Sequence, residues 1–183
     1  VMDSIGAFPT GATTFAGIGP GSMSIRSGVF DTVRYTFDAP LAGSVDADGR
    51  VIAFNQVAVV TDSLATRNRV FGFTNGAAND ITLGDDGVAS DKVSRLTSDA
   101  LSPEILFTNP EALLQLNAGT ANDRVTVRTL DALSVSGAPF ATEVLIRGES
   151  GNDVIDASAS TNDLVIEGNE GDDWIAGGSG NDV

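Results

Sequence analysis

The sequence predicts an all-β protein in which a parallel β-helix of long irregular rungs continues into a coil of short glycine-rich repeats. Strands are indicated by alternating β-branched and aromatic residues with turn residues between them, whereas helical periodicity is nowhere sustained. Asn-Asp pairs recur at 79–80, 122–123 and 152–153, so their spacing falls from 43 to 30 residues and then to about ten. Such shortening is typical of a coil whose rungs first carry side loops and then lose them.

The N-terminal segment 1–27 is rich in Gly, Pro, Ser and Thr. Its composition is compatible with three roles: a cap, a linker or a part of the coil. Residues 28–147 are predicted to form the parallel β-helix module. Its clearest strands are rich in β-branched and aromatic residues: 33–37, 51–54 and 57–60. Turn signals at 46–49 and 75–76 separate such strands.

Three segments share one frame, namely 71–83, 114–127 and 145–157. Each has an apolar strand, a turn of small residues, Asn-Asp and a second alternating strand. In a parallel coil every strand stacks on the rung below, so Asn and small residues are expected at the corners, where the backbone turns sharply. We therefore predict that the three segments occupy equivalent places on successive rungs.

The last part of the chain repeats a glycine-aspartate pattern about four times: GESGNDVID at 148–156, STNDLVI at 160–166, GNEGDDWIA at 168–176 and GGSGNDV at 177–183. The sixth place of each repeat is an aspartate: Asp153, Asp163, Asp173 and Asp182. A period of nine to ten residues with this aspartate, and an aliphatic residue two places later, is the sequence form of a coil of short strands loaded with calcium. The stretch 158–166 departs from the pattern, because Ser158 and Thr161 stand where the other repeats have glycine.

On these motifs, residues 148–183 resemble the RTX family of hemolysin-type calcium-binding repeats. The resemblance implies a calcium-binding β-roll with Ca²⁺ as its cofactor. One ion is expected between turns 148–153 and 168–173 and a second between turns 158–163 and 177–182. The implied carboxylate ligands are Asp153 and Asp173 for the first ion, and Asp163 and Asp182 for the second.

Calcium prefers hard oxygen ligands, roughly six to eight of them, and glycines let a turn present its backbone carbonyls. The glycines implied in the two sites are Gly148, Gly151, Gly168, Gly171, Gly178 and Gly180. We expect the second site to be weak or unfilled, because Ser158 and Thr161 break its pattern. The alternative for the whole tail is a set of ordinary glycine-rich turns without metal.

Residues 46–157 also resemble a module that is repeated in very large bacterial surface and secreted proteins ending in calcium-binding repeats. The segments that carry this resemblance are DGRVIAFN at 48–55, VTD at 60–62, FTNG at 73–76, FTNP at 107–110 and LQLNAGTAND at 114–123. The resemblance implies a parallel β-helix scaffold, and it supplies no catalytic residues.

The charge of the chain is strongly negative and unevenly placed. Of the net −15, residues 148–183 contribute nine acids and no base. Stacked like charges repel unless cations lie between them, so cations are favoured as partners. Nucleic acid needs a basic surface and is therefore excluded as a partner.

Cysteine and histidine are absent, which removes the usual zinc sites, histidine-based triads and thiol nucleophiles. No apolar run is long enough to span a bilayer.

Other candidate residues have a structural explanation beside the functional one. Asp80 and Asp123 have no tandem partner nine or eighteen residues away, so a corner-forming role is favoured over metal binding. Asp85, Asp86 and Asp91 could bind a cation or act as a carboxylate pair, but a solvated acidic loop is the simpler interpretation. Arg124 and Arg128 alternate with valines, which predicts that they lie on the outer face of a strand.

Because the chain starts at Val1 without Met and stops at Val183 within a repeat, we expect a piece of a longer polypeptide whose roll continues beyond it. The function that follows is that of a structural or adhesive segment of an exported bacterial surface protein, extracellular or on the cell surface, and not an enzyme. Its expected partners are adjacent modules, other copies of the same chain, and extracellular polysaccharide. The alternative is the accessory region of a secreted protease, lipase or polysaccharide lyase.

Overall fold

The computed structural model describes residues 13–26, 28–99, 102–131 and 143–183, with side chains from residue 21 onward. Within these ranges the protein is all-β, as predicted, and no helix long and apolar enough to span a membrane occurs among them. The strands are β1 Thr13–Ile25, β2 Val29–Ala39, β3 Ala42–Ala47, β4 Arg50–Asp62, β5 Ala65–Phe73, β6 Asp80–Asp85, β7 Val93–Ser98, β8 Glu104–Thr108, β9 Leu113–Gly119, β10 Arg124–Arg128, β11 Glu143–Ser150, β12 Val154–Ala159, β13 Val165–Glu170 and β14 Trp174–Ala176.

All these strands belong to one mixed sheet with the order β13-β11-β9-β5-β2-β3-β4-β8-β7-β6-β10-β12-β14, and β1 pairs with β4. Two parallel ladders make up its ends. The first ladder consists of β2, β5, β9, β11 and β13, and the second consists of β6, β10, β12 and β14. Four turns cross from the first ladder to the second, namely those joining β5 to β6, β9 to β10, β11 to β12 and β13 to β14.

The sheet differs from a purely parallel coil at β3 and β7, which run antiparallel to both of their neighbours. Only the turn Asp48-Gly49 lies between β3 and β4, and a connection this short allows nothing but an antiparallel hairpin. Both of its residues have positive φ, 50° and 83°, as the hairpin turns favoured by Asp-Gly require. The hairpins therefore interrupt the parallel order that the long sequence periods predict.

The inward side chains of the strands form one apolar core. Tyr35 of β2 lies next to Phe71 of β5 in the parallel register, with ring centroids 5.2 Å apart, and Phe71 is 5.0 Å from Phe107. The same column continues through Leu116 and Ile146. Burying each such side chain contributes roughly 1.5–3 kcal/mol, so this column is a main source of stability.

The two ends of the sheet also meet. The backbone N–H of Ile166 donates to the carbonyl of Val183 at 2.8 Å, and the N–H of Val183 donates to the carbonyl of Leu164 at 2.9 Å. The segment after β14 thus lies against the start of β13. The sheet is therefore curled around its core.

The predicted segments do not coincide with breaks in the sheet. The boundary between 147 and 148 lies inside β11, which pairs with β9 on one side and with β13 on the other. Within the N-terminal segment, β1 pairs in parallel with β4, while residues 1–12 and 27 lie outside the described residues. The first ladder therefore runs without interruption into the glycine-aspartate repeats.

Candidate metal centre

Three aspartates stack at the turns that join the two ladders. We call Asp123, Asp153 and Asp173 the aspartate column; each immediately precedes a strand of the second ladder. The Oδ1 of each accepts a backbone N–H from the preceding turn: Asn79 N to Asp123 at 2.7 Å, Asp123 N to Asp153 at 2.7 Å, and Asp153 N to Asp173 at 2.9 Å. One oxygen of every carboxylate thus holds the turns together.

The asparagines that precede these aspartates bond in the opposite direction. The Oδ1 of Asn122 accepts the N–H of Asn152, and the Oδ1 of Asn152 accepts the N–H of Asp172, both at 2.8 Å. Asn therefore reaches forward to the next turn while Asp reaches back to the previous one. The recurring Asn-Asp pair satisfies backbone donors at corners where the strand ladder does not.

The second oxygen of two column members is buried without a hydrogen-bond donor. Asp123 and Asp153 are 2% and 1% exposed, and the Oδ2 of each has no partner. Burial raises the pKa of Asp123 to about 6, against the lowering effect of its hydrogen bonds from Asn79. Burial also raises the pKa of Asp153, and the charge of Asp173 adds to this. A buried carboxylate oxygen without a donor is costly, so a cation or a proton is stabilising at this corner.

Glycines five residues before the aspartates make room for these carboxylates. A Cβ at Gly148 would overlap the Oδ2 of Asp153 and would lie 2.8 Å from the carbonyl oxygen of Gly168. A Cβ at Gly168 would in turn overlap the Oδ2 of Asp173. Carboxylate and carbonyl oxygens therefore converge in a space that any larger residue would fill.

The remaining predicted glycines permit close stacking of turns. Gly151 and Gly171 have φ of +138° and +132°, which L side chains rarely adopt, and a Cβ at Gly171 would overlap the carbonyl of Gly151. On the other side of the sheet, a Cβ at Gly178 or Gly180 would overlap the carbonyls of Ser160 and Asn162, respectively.

The second predicted pair of turns is also stacked. Asn181 donates its backbone N–H to the Oδ1 of Asp163 at 2.7 Å, and Leu164 donates to the Oδ1 of Asp182 at 3.1 Å. The Oδ2 of Asp182 accepts the N–H of Gly178 at 2.7 Å, so both of its oxygens are already engaged. Fewer oxygens are available here than at Asp153 and Asp173.

The first pair of turns fits the chemistry of calcium. Among the described residues, no three acidic or histidine side chains converge, so a metal site would rest on two carboxylates and on backbone carbonyls. Asp153, Asp173 and the carbonyl of Gly168 supply hard oxygens of this kind. When bound, Ca²⁺ would supply the positive charge that the buried carboxylates lack.

One prediction about the earlier corners is corrected. Register places Asn79, and not Asp80, next to Asp123, because Asp80 pairs with Arg124 and is exposed at the start of β6. Asp123 has the corner position that was favoured for it, and it also shares the burial and the unpartnered oxygen of Asp153. The sequence contains no signal for the one-residue shift, because Asn and Asp can fill the same place in the column.

The acidic loop has the hydrogen bonds of ordinary turns. The Oδ1 atoms of Asp85, Asp86 and Asp91 each accept the backbone N–H two residues later, at 2.6, 2.8 and 2.8 Å. The nearby Arg95 pairs with Glu104 at 3.5 Å. These contacts agree with a solvated loop.

A buried ion pair was missed by the sequence analysis. Asp62 and Arg69 are paired within the core, where Asp62 also accepts the hydroxyl of Tyr35 at 2.7 Å and the N–H of Leu64 at 2.8 Å. Arg69 donates to the carbonyl of Leu64 and lies 5.4 Å from the ring centroid of Phe107. Strand alternation places Arg69 on the same side of β5 as Phe71, which is the core side. A charged residue is normally expected on the surface, so this signal for a buried arginine is easily overlooked.

Comparisons with protein-family models, with curated proteins and with solved structures gave no match. Arguments about function therefore rest on the motifs and on the geometry of the corners.

Proposed function

We propose that the chain is a calcium-stabilised structural segment of an exported bacterial surface protein, with Ca²⁺ bound at the stacked turns 148–153 and 168–173. The observation that carries the proposal is the corner itself. Asp153 and Asp173 occupy one column, each with Oδ1 engaged by a backbone N–H, and the Oδ2 of Asp153 is buried without a donor. A divalent cation stabilises such a pair by offsetting both repulsion and desolvation.

Within this proposal the architecture is a parallel β-helix that continues into a β-roll. The four turns crossing between two parallel ladders support this description, because the chain passes from one ladder to the other in a repeated order. The hairpins β2-β3-β4 and β6-β7 are then side excursions of long rungs. Among the described residues after β9, which exclude 132–142, no such hairpin occurs, in agreement with the shortening of the sequence period.

A structural or adhesive role is favoured because the recurring polar residues hold neighbouring turns together. Backbone N–H groups of adjacent turns donate to the side chains of Asn122, Asn152 and the aspartate column. Their geometry is that of a scaffold that can be extended by adding turns. The alternative proposal, an accessory region of a secreted enzyme, uses the same calcium corner and differs in what flanks it. Repeated copies of the module in the full reading frame would support the structural role, and a hydrolase motif would support the alternative.

The calcium proposal is tested by titration calorimetry of the 183-residue chain with Asp153→Asn. Asparagine keeps an Oδ1 acceptor for Asp123 N but removes the charge and places an amide at Oδ2, so the variant separates metal binding from the hydrogen bond that joins the turns. We expect calcium affinity to fall at least about tenfold, which corresponds to about 1.4 kcal/mol.

Asp80→Asn is the matched control, since it makes the same substitution at an exposed strand start outside the column. Its affinity should equal that of the wild type. Equal affinity of Asp153→Asn and Asp80→Asn, or the absence of calcium binding to the wild type, would refute the site.

A further inference from the structure

A polar groove lies on the outer face of β6, β7 and β10, and none of the residues of the aspartate column lines it. It has a volume of about 350 Å³ and is lined by Thr82, Gly84, Asp85, Arg95, Thr97 and Arg128. Two of these six residues are arginines, in a protein whose net charge is −15. A concentration of positive charge on an acidic chain needs an explanation beyond solubility.

The two arginines flank a glycine in the sheet. Gly84 pairs with Arg95 of the antiparallel strand β7 on one side. The register of β6 with β10 places it beside Arg128 on the other side, where a Cβ at Gly84 would lie 3.0 Å from the Cβ of Arg128. Glycine therefore leaves room for the Arg128 side chain, whose Cδ would lie 3.7 Å from such a Cβ, to cross the sheet surface toward Arg95.

Both arginines are available to a ligand. Arg128 is exposed and forms no ion pair with any of the residues that the structure describes. Arg95 pairs with Glu104 at 3.5 Å, but their side chains are 47% and 37% exposed, and such surface pairs are weak. An incoming anion can therefore compete for Arg95.

We propose that this groove binds an acidic sugar unit, with Arg95 and Arg128 on its carboxylate and with the hydroxyls of Thr82 and Thr97 on its hydroxyl groups. Guanidinium groups match carboxylates in geometry and in charge. Asp85, at the edge of the groove, adds an acceptor for a sugar hydroxyl. Its negative charge repels the carboxylate of the sugar, so that carboxylate should point away from Asp85. The groove has the volume of a small-ligand site, roughly 300–1,000 Å³. This inference names a chemistry for the polysaccharide partner but does not depend on calcium at the aspartate column.

The test is a titration of the calcium-loaded chain with sodium glucuronate, in which NMR of the arginine Nε–H signals is the readout. Glucose and inorganic sulfate are the comparison probes. We expect glucuronate to shift the signals of Arg95 and Arg128 and to bind more tightly than either comparison probe. Binding of glucose as tight as that of glucuronate would overturn the role of the carboxylate, and tighter binding of sulfate would overturn the sugar assignment.

Variants separate the groove from general electrostatics. Arg128→Gln should weaken glucuronate binding about tenfold, the loss expected for one charge-assisted contact, whereas Arg67→Gln on another exposed strand should not. Gly84→Ala keeps both charges, but its Cβ would crowd the Arg128 side chain and displace it, so this variant should also weaken binding. Unchanged affinity in Arg128→Gln would refute the proposal.

Glu104→Gln should have the opposite effect, because it releases Arg95 from its only carboxylate partner among the described residues. We expect tighter glucuronate binding, by about twofold or more. Glu111→Gln makes the same change of net charge at an exposed site outside the groove lining. Equal gains in the two variants would show that net charge alone controls binding and would contradict the proposal.

Discussion

The long-rung region 28–147 and the tail 148–183 share the same ladders, but their sources of stability differ. In the long-rung region, Phe37, Phe71 and Phe107 are fully buried and belong to a continuous aromatic cluster. In the tail, Trp174 and Ile175 remain 54% and 43% exposed, while nine acids are present without a base. Apolar burial therefore decreases toward the end of the chain as negative charge accumulates. One corner geometry can thus serve a region held by its core and a region for which we propose stabilisation by cations.

The largest expected difference between the regions is their response to calcium removal. If the tail binds calcium as proposed, a chelator should unfold it and leave the long-rung region folded, because the nine acids of the tail would then repel one another without a cation between them. Hydrogen exchange followed by mass spectrometry measures both regions in one sample. Circular dichroism should show the corresponding loss of β signal.

The reference for this experiment is the same chain in excess calcium, with magnesium as the control for general screening by divalent ions. Amides of β12 to β14 should lose protection in chelator and in magnesium alone, whereas those of β2 and β5 should keep it. If the amides of the tail stay protected without calcium, the proposed difference in calcium dependence between the two regions is wrong.

The long-rung region should instead be broken by removing its buried charge pair. Asp62→Ala leaves Arg69 in the core without its carboxylate, so the free energy of unfolding should fall by about 3–5 kcal/mol. Urea unfolding in excess calcium measures this loss. Asp31→Ala removes an exposed partner of Arg67 and should cost less than about 1 kcal/mol. Similar losses in the two variants would mean that the buried pair does not support this region.

A smaller effect distinguishes column members at the border of the two regions. Asp173→Ala should weaken calcium binding more than Asp123→Ala, by about tenfold against less than about twofold in titration calorimetry. The reason is the residue five places earlier, which is Gly168 for Asp173 but Ala118 for Asp123. The alanine Cβ occupies space that glycine leaves to oxygen ligands. Equal losses would show that the long-rung corner also holds metal.

The sequence could predict what depends on local periodicity. Strand alternation indicated the all-β class, and the Asn-Asp frame located the turns around 79–80, 122–123 and 152–153 that join the ladders. The stacking of turn 148–153 with turn 168–173 followed from the length of two repeats. These features depend on spacing, which a single chain displays directly.

The features that escaped prediction depend on pairing between distant residues. Arg69 is buried only because Asp62, Tyr35 and the carbonyl of Leu64 surround it, and no local pattern contains that information. The shift that places Asn79 beside Asp123 is a register choice between strands 40 residues and more apart. The Asp48-Gly49 hairpin was recognisable as a turn, but its effect on the parallel order was not inferred.

The smallest expected difference is in the pH dependence of the calcium-free chain. The folded pKa of Asp123 is about 6, above its unfolded value of 3.8, so between these values the folded state binds the proton more tightly. This group therefore adds stability as the pH falls from 7 toward 4, and the contribution is lost as the pH rises through 6. Asp153 acts in the same direction, because its pKa is also raised. Calcium should reverse the trend, since protons compete with it for the same carboxylates.

The measurement is the difference in melting temperature between wild type and Asp123→Asn at pH 7 and at pH 5, in chelator. Asparagine keeps the acceptor for Asn79 N but carries no charge, so it should stabilise the chain at pH 7 and have little effect at pH 5. Comparing the two proteins removes the general decrease in repulsion that every carboxylate shows on acidification. Parallel pH profiles for wild type and variant would mean that Asp123 titrates normally. In that case the buried Oδ2 of Asp123 has a hydrogen-bond donor. The corner of the long-rung region would then differ from the tail corner in the environment of its carboxylate, although Asp123 and Asp153 are buried to a similar extent.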